Sequence, residues 1–320
     1  MLRFTSPDEI PANFGPSAVT IGKFDGVHAG HRAVLEQLLA VAGERSLSSA
    51  VVTFDRHPLA LLRPDLAPSA LVSTEQKLDL LEATGVDAAL VLTFDESVSS
   101  QAPEDFVVHT LVNALRARVV LVGSDFRFGL RGAGNVELLS QLGAAHGFDV
   151  LVIDDICRDG DRRVSSTWIR ELLAEGDVEQ AAALLGSLPA VRSVVVGGER
   201  RGRELGYPTA NLDPAIEGFI PADGVYAAWL VVDGVPYGAA VSVGNNPTFE
   251  GVPAKQVEAH ALDQSFDLYG KTVDVRFVKF IRGMRKFAGA DALVEQMAQD
   301  EADIRTVLGV PPRGDASSHS

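Results

Sequence analysis

Two arrangements of hydrophobic and polar positions follow one another along the chain. Up to about residue 186, short continuous apolar runs alternate with segments whose apolar residues recur at helical spacing. SAVTIG (17–22), SSAVVTF (48–54), AALVLTF (88–94), RVVLVG (118–123) and DVLVID (149–154) predict buried strands. The helices between them are predicted over HRAVLEQLLAVAGER (31–45), APEDFVVHTLVNAL (102–115) and NVELLSQLGAAHG (135–147), with a further one opened by the capping pattern STEQ (73–76) and running to Leu81. Strands that alternate with helices pair in parallel, so this half predicts an α/β doubly wound domain. Such sheets bind ligands beyond the carboxyl ends of their strands. The polar clusters fall there, after Ile21, Phe54 and Val122.

From Ser187 the pattern shortens. RSVVVGG, GVYAAWLVVDG, VPYGAAVSVG, KQVEAHALD and KTVDVRFVKFIR are β-rich runs divided by Gly, Pro and Asn. Asp233-Gly234 predicts a hairpin between two of them, and the set predicts an antiparallel β-barrel. ADALVEQMAQDEADIRTVL (290–308) predicts a C-terminal amphipathic helix packed on it. The expected modules are residues 1–186 and 187–312, and the small polar tail 313–320 is expected to be disordered.

Composition narrows the function. A chain of 320 residues suits two cores, and 46% hydrophobic residues exclude a disordered chain. A formal charge of -15 argues against nucleic acid or an anionic membrane as the main partner. A phosphate-bearing ligand must then be drawn by local groups. The single cysteine, Cys157, provides neither a disulfide framework nor a Cys-rich zinc site. MLRFTSPDEIPANF lacks the features of a secretory signal and no apolar run reaches membrane-span length, so a cytoplasmic location is expected.

The candidate chemistry begins at TIGKFDGVHAGH (20–31). Gly22, Gly26 and Gly30 let the backbone approach a ligand closely. A helix starting near His31 would turn free N–H groups and its positive dipole end on the same spot, which suits a phosphate. His28 and His31 could donate to charge developing on a phosphoryl oxygen. The glycine spacing is neither the dinucleotide fingerprint nor the P-loop. A zinc reading through Asp25, His28, His31 and His57 and a plain glycine turn with surface histidines are the alternatives.

In VSSTWIR (164–170), Ser165, Ser166 and Thr167 have the character of helix caps, and with Arg170 the same groups suit a triphosphate. TFDRHP (53–58) and VGSDFRFGLRGAGN (122–135) follow other strand ends. In the second, a loop of mobile-looking composition, Phe126 and Phe128 suit either stacking on a planar ring or anchoring of the loop itself. RRGRELGYPTANL (200–212) carries Gly202 and Gly206 around a turn, then Thr209 and Asn211, hard oxygen donors suited to Mg2+ beside substrate phosphates. Glu258 lies on an alternating strand with Val257 and Ala259 on the opposite face. It is either a general base directed into the barrel or a solvent-facing carboxylate.

Together these segments resemble the bacterial bifunctional riboflavin kinase/FAD synthetases. IGKFDGVHAGH is similar to the family's G-x-FDG-x-H-x-GH motif, and TFDRHP, VGSDFRFG and VSSTWIR to its later adenylyltransferase motifs. GRELGYPTANL, VSVGNNPTF (241–249), VEAHALD, DLYG (267–270) and IRGMRKF (281–287) are similar to its kinase module. The resemblance implies that the C-terminal module moves the γ-phosphoryl of ATP to riboflavin, giving FMN and ADP. It implies that the N-terminal module joins FMN to the AMP part of ATP, giving FAD and pyrophosphate.

By the same resemblance His28, His31 and Glu258 are catalytic, and Thr209 and Asn211 hold Mg2+. Gly22, Phe24, Asp25, Gly26 and Gly30, with Ser166, Thr167, Arg170, Gly202 and Gly206, contact nucleotide phosphates. His57, Pro58, Asp125, Phe126 and Arg127 lie on the flavin side. Retention of only one activity, or a flavin-binding regulator, are the alternative functions. Ser187-Leu188-Pro189, Arg192, Gly198 and Gly283 depart from the family pattern of Arg-Pro-Tyr, glycine, aspartate and proline.

Overall fold

A computed structural model describes residues 1–153, 158–159, 162–197, 207–245, 255–264 and 267–311. The chain divides into two compact units, Met1–Ser166 and Thr167–Ser320.

In the first unit six strands form one sheet: β1 (Leu2–Phe4), β2 (Ser17–Ile21), β3 (Ser48–Phe54), β4 (Ala88–Leu92), β5 (Ala117–Gly123) and β6 (Asp149–Ile153). Their order is β1-β4-β3-β2-β5-β6, and every pairing is parallel. The helices are α1 (Ala29–Arg45), α2 (Leu59–Leu62), α3 (Thr74–Glu82), α4 (Glu96–Ser99), α5 (Pro103–Phe106) and α6 (Val136–His146). The predicted 102–115 helix is not α throughout. It passes from α5 into a π-helical stretch, Val107–Ala114, with the Leu115 N–H bonded to the Thr110 carbonyl at 3.0 Å. On one sheet face Val19, Val52, Leu90 and Val120 pack with Leu111, Leu115 and Leu139. On the other, Ala18, Val51, Ala89 and Val119 meet Leu35, Leu38, Leu78 and Leu81. Burial on both faces is why these strands read as unbroken apolar runs. The neighbours of β2, strands β3 and β5, lead to opposite edges of the sheet, so the order reverses at β2 and β5. The loops beyond their carboxyl ends therefore flank the switch point, where doubly wound sheets bind ligands.

A short hairpin, β7 (Arg158–Asp159) and β8 (Arg162–Arg163), precedes α7 (Ser166–Glu175) and α8 (Val178–Leu185). The second unit is a closed barrel of β9 (Ala190–Val196), β10 (Ala210–Leu212), β11 (Gly224–Val232), β12 (Val235–Asn245), β13 (Lys255–Ala261) and β14 (Thr272–Arg282). Its order is β10-β13-β12-β11-β14-β9, all antiparallel. The hairpin at Asp233-Gly234 is as predicted, with φ of 51° and 82° at its two central residues. Two left-handed residues in succession match the twist of the flanking strands. Helix α8 packs on the barrel side, where Lys279 Nζ reaches Glu179 Oε1 at 3.2 Å. The C-terminal helix α9 (Ala290–Leu308) is at its predicted position.

Val225, Ala227 and Ala240 pack under Ile304, Val307 and Leu308 of α9, which makes theirs the outer face of the barrel. The alternate set, with Tyr226, Val241, Ala259 and Phe277, fills the inside. Two arginine clusters clip α9 down. Arg282 forks onto Asp300 at 2.7–3.0 Å, and Arg305 binds both Glu301 and Asp263 at 2.7 Å. Asp300, Glu301 and Arg305 are buried, and the paired geometry offsets the cost of taking their charges out of water. The departure at Arg192 has a physical partner, since its guanidinium binds Asp274 across β9–β14 at 2.6 and 3.0 Å. Gly283 has open space where a Cβ would stand. Cys157, Gly198 and the 313–320 tail lie outside the described residues.

Candidate active sites

The turn after β2 is held by two apolar anchors. Phe24 and Val27 are 2% and 0% exposed, and both adopt positive φ, 48° and 41°, around Gly26 at 80°. A left-handed β-branched residue costs about 1–3 kcal/mol and persists only where its surroundings enforce it. Burying both side chains pulls the chain inward at 24 and 27 and delivers His28 to the head of α1. The helix begins at Ala29, two residues earlier than predicted, because His28 is itself the cap. Its Nδ1 accepts the His31 N–H at 3.3 Å, so in the neutral ring the proton sits on Nε2.

The His28 and His31 rings stack at 3.7 Å between centroids, and Phe24 stands 5.0 Å from His31. Two imidazolium rings at that distance would repel. Burial above all, followed by the charges of His28, Lys23, Lys77 and Arg163, holds the proton affinity of His31 well below that of an ordinary histidine. Its Nδ1 is buried and makes no hydrogen bond. The result is a neutral ring with an unused polar atom, set among cations at a helix N-terminus in a chain of net charge -15.

The glycines keep this arrangement clear. A Cβ on Gly30 would stand 3.2–3.3 Å from the His28 ring, and one on Gly22 would stand 3.0 Å from the Phe24 ring. Gly30→Ala should lower the FMN adenylylation that the sequence resemblance implies about tenfold by pushing the His28 ring, while the better helix propensity of Ala keeps the melting temperature from falling. Parallel assays of FAD formation and thermal unfolding separate the two effects.

The remaining N-terminal candidates fall into distinct roles. Asp25 Oδ1 accepts the Leu71 N–H at 2.9 Å, and its carbonyl accepts the Ser166 hydroxyl at 3.0 Å. These bonds draw the 71 region and the start of α7 onto the glycine turn. Thr167 is exposed and Arg170 half-buried on α7. His57 Nδ1 accepts the Leu59 N–H at 3.1 Å beside the half-buried Pro58. Asp125 is exposed and pairs with Arg163 at 3.6 Å, and Arg127 is exposed. The 122–135 loop is pinned, contrary to its mobile-looking composition. Phe128 is buried, bridges to Gly134 and stacks on Phe126 at 5.4 Å. Phe128 is thus the loop anchor. Among the described residues no group of three or more His, Cys, Asp or Glu could hold a metal ion.

In the barrel, Asn211 on β10 is the register partner of Glu258 on β13, and Glu258 is in turn the partner of Ser242. Side chains so paired on one face stand about 4.5–5.5 Å apart at Cβ. Ser242 pairs with Val225, which faces α9, so Glu258 and Asn211 belong to the outer face. Glu258 is not directed into the barrel, because Val257 and Ala259 occupy that side at 0% and 1% exposure. The Asn211 amide donates to the Thr209 carbonyl at 3.4 Å, which commits its nitrogen and leaves Oδ1 as an acceptor. Gly202 and Gly206 lie outside the described residues.

Three groups around the first site escaped the sequence reading. Lys23 Nζ is 3.3 Å from His57 Nε2. Lys77, 6% exposed, donates to the Phe54 carbonyl at 2.7 Å, and burial lowers its proton affinity against the pull of Asp25 and Asp55. Arg163 adds charge at His31. Lys77 had a signal: it adjoins Leu78 and precedes Leu81 on the apolar stripe of α3.

The stacked histidines stand at a helix head beside the switch point of a parallel sheet, and the second module is a closed antiparallel barrel with Asn211, Ser242 and Glu258 on its outer face. Residues 10–168 match the FAD synthetase family model and residues 185–308 the riboflavin kinase model. A bifunctional riboflavin kinase/FMN adenylyltransferase of Escherichia coli K12 is 38% identical over 91% of this chain and 93% of its own. The enzyme of that name from Listeria monocytogenes is 36% identical over 90% and 91%. A solved structure described as a macrolide-efflux protein from Streptococcus pneumoniae superposes with a TM-score of 0.85, at 32% identity over 95% of this chain and 98% of that one. Among the described residues no helix is long and apolar enough to cross a membrane. The chain belongs to the bifunctional riboflavin kinase/FMN adenylyltransferase family.

Proposed function

We propose that this chain makes FAD in two steps, with residues 187–312 phosphorylating riboflavin and residues 1–186 adenylylating the FMN produced. The order follows from the chemistry, since the phosphate installed first is the nucleophile of the second step. In the kinase step Glu258 takes the proton of the ribityl 5′-hydroxyl. The hydroxyl oxygen then bonds to the γ-phosphorus of ATP as the β–γ bridge breaks, and ADP departs. Thr209 and Asn211 would hold Mg2+ here. Their donor set fits it, because two neutral oxygens leave room for the phosphates and water that Mg2+ prefers as its other ligands. When bound, the ion neutralises charge on the transferring phosphates. Gly202 and Gly206 belong to the same phosphate-binding segment.

In the adenylyl step an FMN phosphate oxygen attacks the α-phosphorus and the bond to pyrophosphate breaks. His28 and His31 donate to the phosphates while Gly22, Gly26 and Gly30 keep the approach open. Phe24 and Asp25 hold the turn, and Ser166, Thr167 and Arg170 complete the triphosphate side. His57, Pro58, Asp125, Phe126 and Arg127 form the flavin side. ATP serves both steps, and the location is cytoplasmic.

The observation that supports this reading most is the stacked His28/His31 pair at the head of α1, with a buried, unpaired ring nitrogen among cations. Purified protein given riboflavin, ATP and Mg2+ should yield FMN and then FAD, resolved by chromatography. Absence of FMN from riboflavin overturns the kinase assignment, and absence of FAD from supplied FMN overturns the other.

A further inference from the structure

Thr209 stands just outside the strand that fixes its neighbours. β10 starts at Ala210 and joins β13 through Ala210↔Ala259 and Asn211↔Glu258. Pro208 has no N–H with which to extend that ladder. Its carbonyl is met by a side chain instead, with His260 Nδ1 2.8 Å away. A carbonyl oxygen only accepts, so Nδ1 carries the proton, and in the neutral ring Nε2 does not. The half-buried His260 lies two residues from Glu258 on the same outer face of β13, opposite Ala240 of β12. Its ring also meets the buried Tyr207 edge-on, with centroids 5.2 Å apart and planes at 67°.

The two peptide units that flank Thr209 are thereby held on both sides of the residue. In the unit before it, the Pro208 carbonyl accepts from His260. In the unit after it, the Thr209 carbonyl accepts from the Asn211 amide at 3.4 Å, and Ala210 enters the ladder. Peptide units are planar, so fixing both leaves Thr209 little freedom in φ and ψ. Its β-branched side chain then has few χ1 rotamers to choose from. The direction of the Thr209 hydroxyl is thus set from β13, the strand that carries Glu258.

We propose that His260 is a positioning residue of the kinase step: by donating to the Pro208 carbonyl it holds the Thr209 hydroxyl in the orientation that nucleotide and Mg2+ binding require. The role rests on the kinase reading above. It acts through the donor on Nδ1, and the ring contact with Tyr207 is secondary.

The test uses the full chain with two substitutions that divide the histidine. His260→Phe keeps a ring against Tyr207 and removes the donor. His260→Asn removes the ring and keeps an N–H near the place of Nδ1. FMN formation is measured with MgATP and riboflavin varied in turn, and amide hydrogen exchange is followed in the free protein. His260→Phe should raise KM for MgATP about tenfold, the scale of one lost hydrogen bond, with KM for riboflavin within about twofold. His260→Asn should stay within about threefold of wild type. Exchange over residues 209–212 should quicken about tenfold in His260→Phe alone, while unchanged protection of β11 and β12 reports an intact barrel. In the wild type, imidazole nitrogen NMR shifts should place the proton of the neutral His260 ring on Nδ1. A proton on Nε2, an unchanged KM for MgATP in His260→Phe, or equal losses in the two variants overturns the role. Should His260→Phe lose the barrel, the wild-type shifts and His260→Asn still decide. If the wild type makes no FMN from riboflavin, the kinase reading has failed, and that arm shows it before any variant is assayed.

Discussion

Glu258→Gln should cut riboflavin phosphorylation by about 10²- to 10⁴-fold, the usual worth of a positioned general base, while FMN is still converted to FAD at the wild-type rate. The amide keeps the size of the side chain, so the outer face of the barrel around Asn211 and Ser242 stays packed. What it loses is the capacity to accept the hydroxyl proton. Loss should therefore appear in kcat, with KM for ATP little changed, since the nucleotide is held by other groups. Initial rates of FMN formation at saturating riboflavin, beside rates of FAD formation from FMN, read both halves. A folded variant that lost both activities would refute the assignment of the two reactions to separate sites.

His31→Asn should produce the reverse, with FAD formation lowered by about 10²- to 10³-fold, the cost of removing one preorganised donor at developing charge, and FMN formation retained. A second consequence concerns acid stability. The folded state holds His31 deprotonated well below the usual histidine range, whereas in the unfolded chain it titrates near 6.5. As pH falls through 6.5 the unfolded state takes up this proton first, so stability is present above that pH and declines on acidification toward the folded-state value. Thermal unfolding midpoints measured across pH 5–7 should slope less in His31→Asn than in wild type. Equal slopes would mean that His31 is not buried as a neutral ring.

Most of the architecture is legible in the pattern of the sequence. β3 and α9 coincide with the runs that predict them, and Asp233-Gly234 announces its hairpin because few other pairs tolerate two left-handed residues. The failures have separate causes. β1 and β10 are three residues each, too short for any periodicity to show. The π-helical stretch keeps an apolar stripe that an α-helix would also bury. The start of α1 is misjudged because histidine is an uncommon cap, and the capping bond depends on its ring folding back onto His31. Alternation along β13 correctly separates Glu258 from Val257 and Ala259, but it does not say which face the barrel encloses, since α9 covers part of the outer one. The candidate histidines are legible from HxGH spacing. Lys23 is not, because its partner comes from another loop and only the sheet brings the two together.

The arginine clips on α9 set where this chain can be cut. Val225, Ala227 and Ala240 form an apolar strip that this helix covers, and Asp263 and Arg282 bind charged partners on it. A kinase fragment ending before residue 290 would bare the strip, take Asp300 away from Arg282 and Arg305 away from Asp263, and favour self-association. A stand-alone barrel for crystallography or biocatalysis should therefore extend at least through Val310, whose N–H closes the helix end onto the Arg305 carbonyl at 3.0 Å.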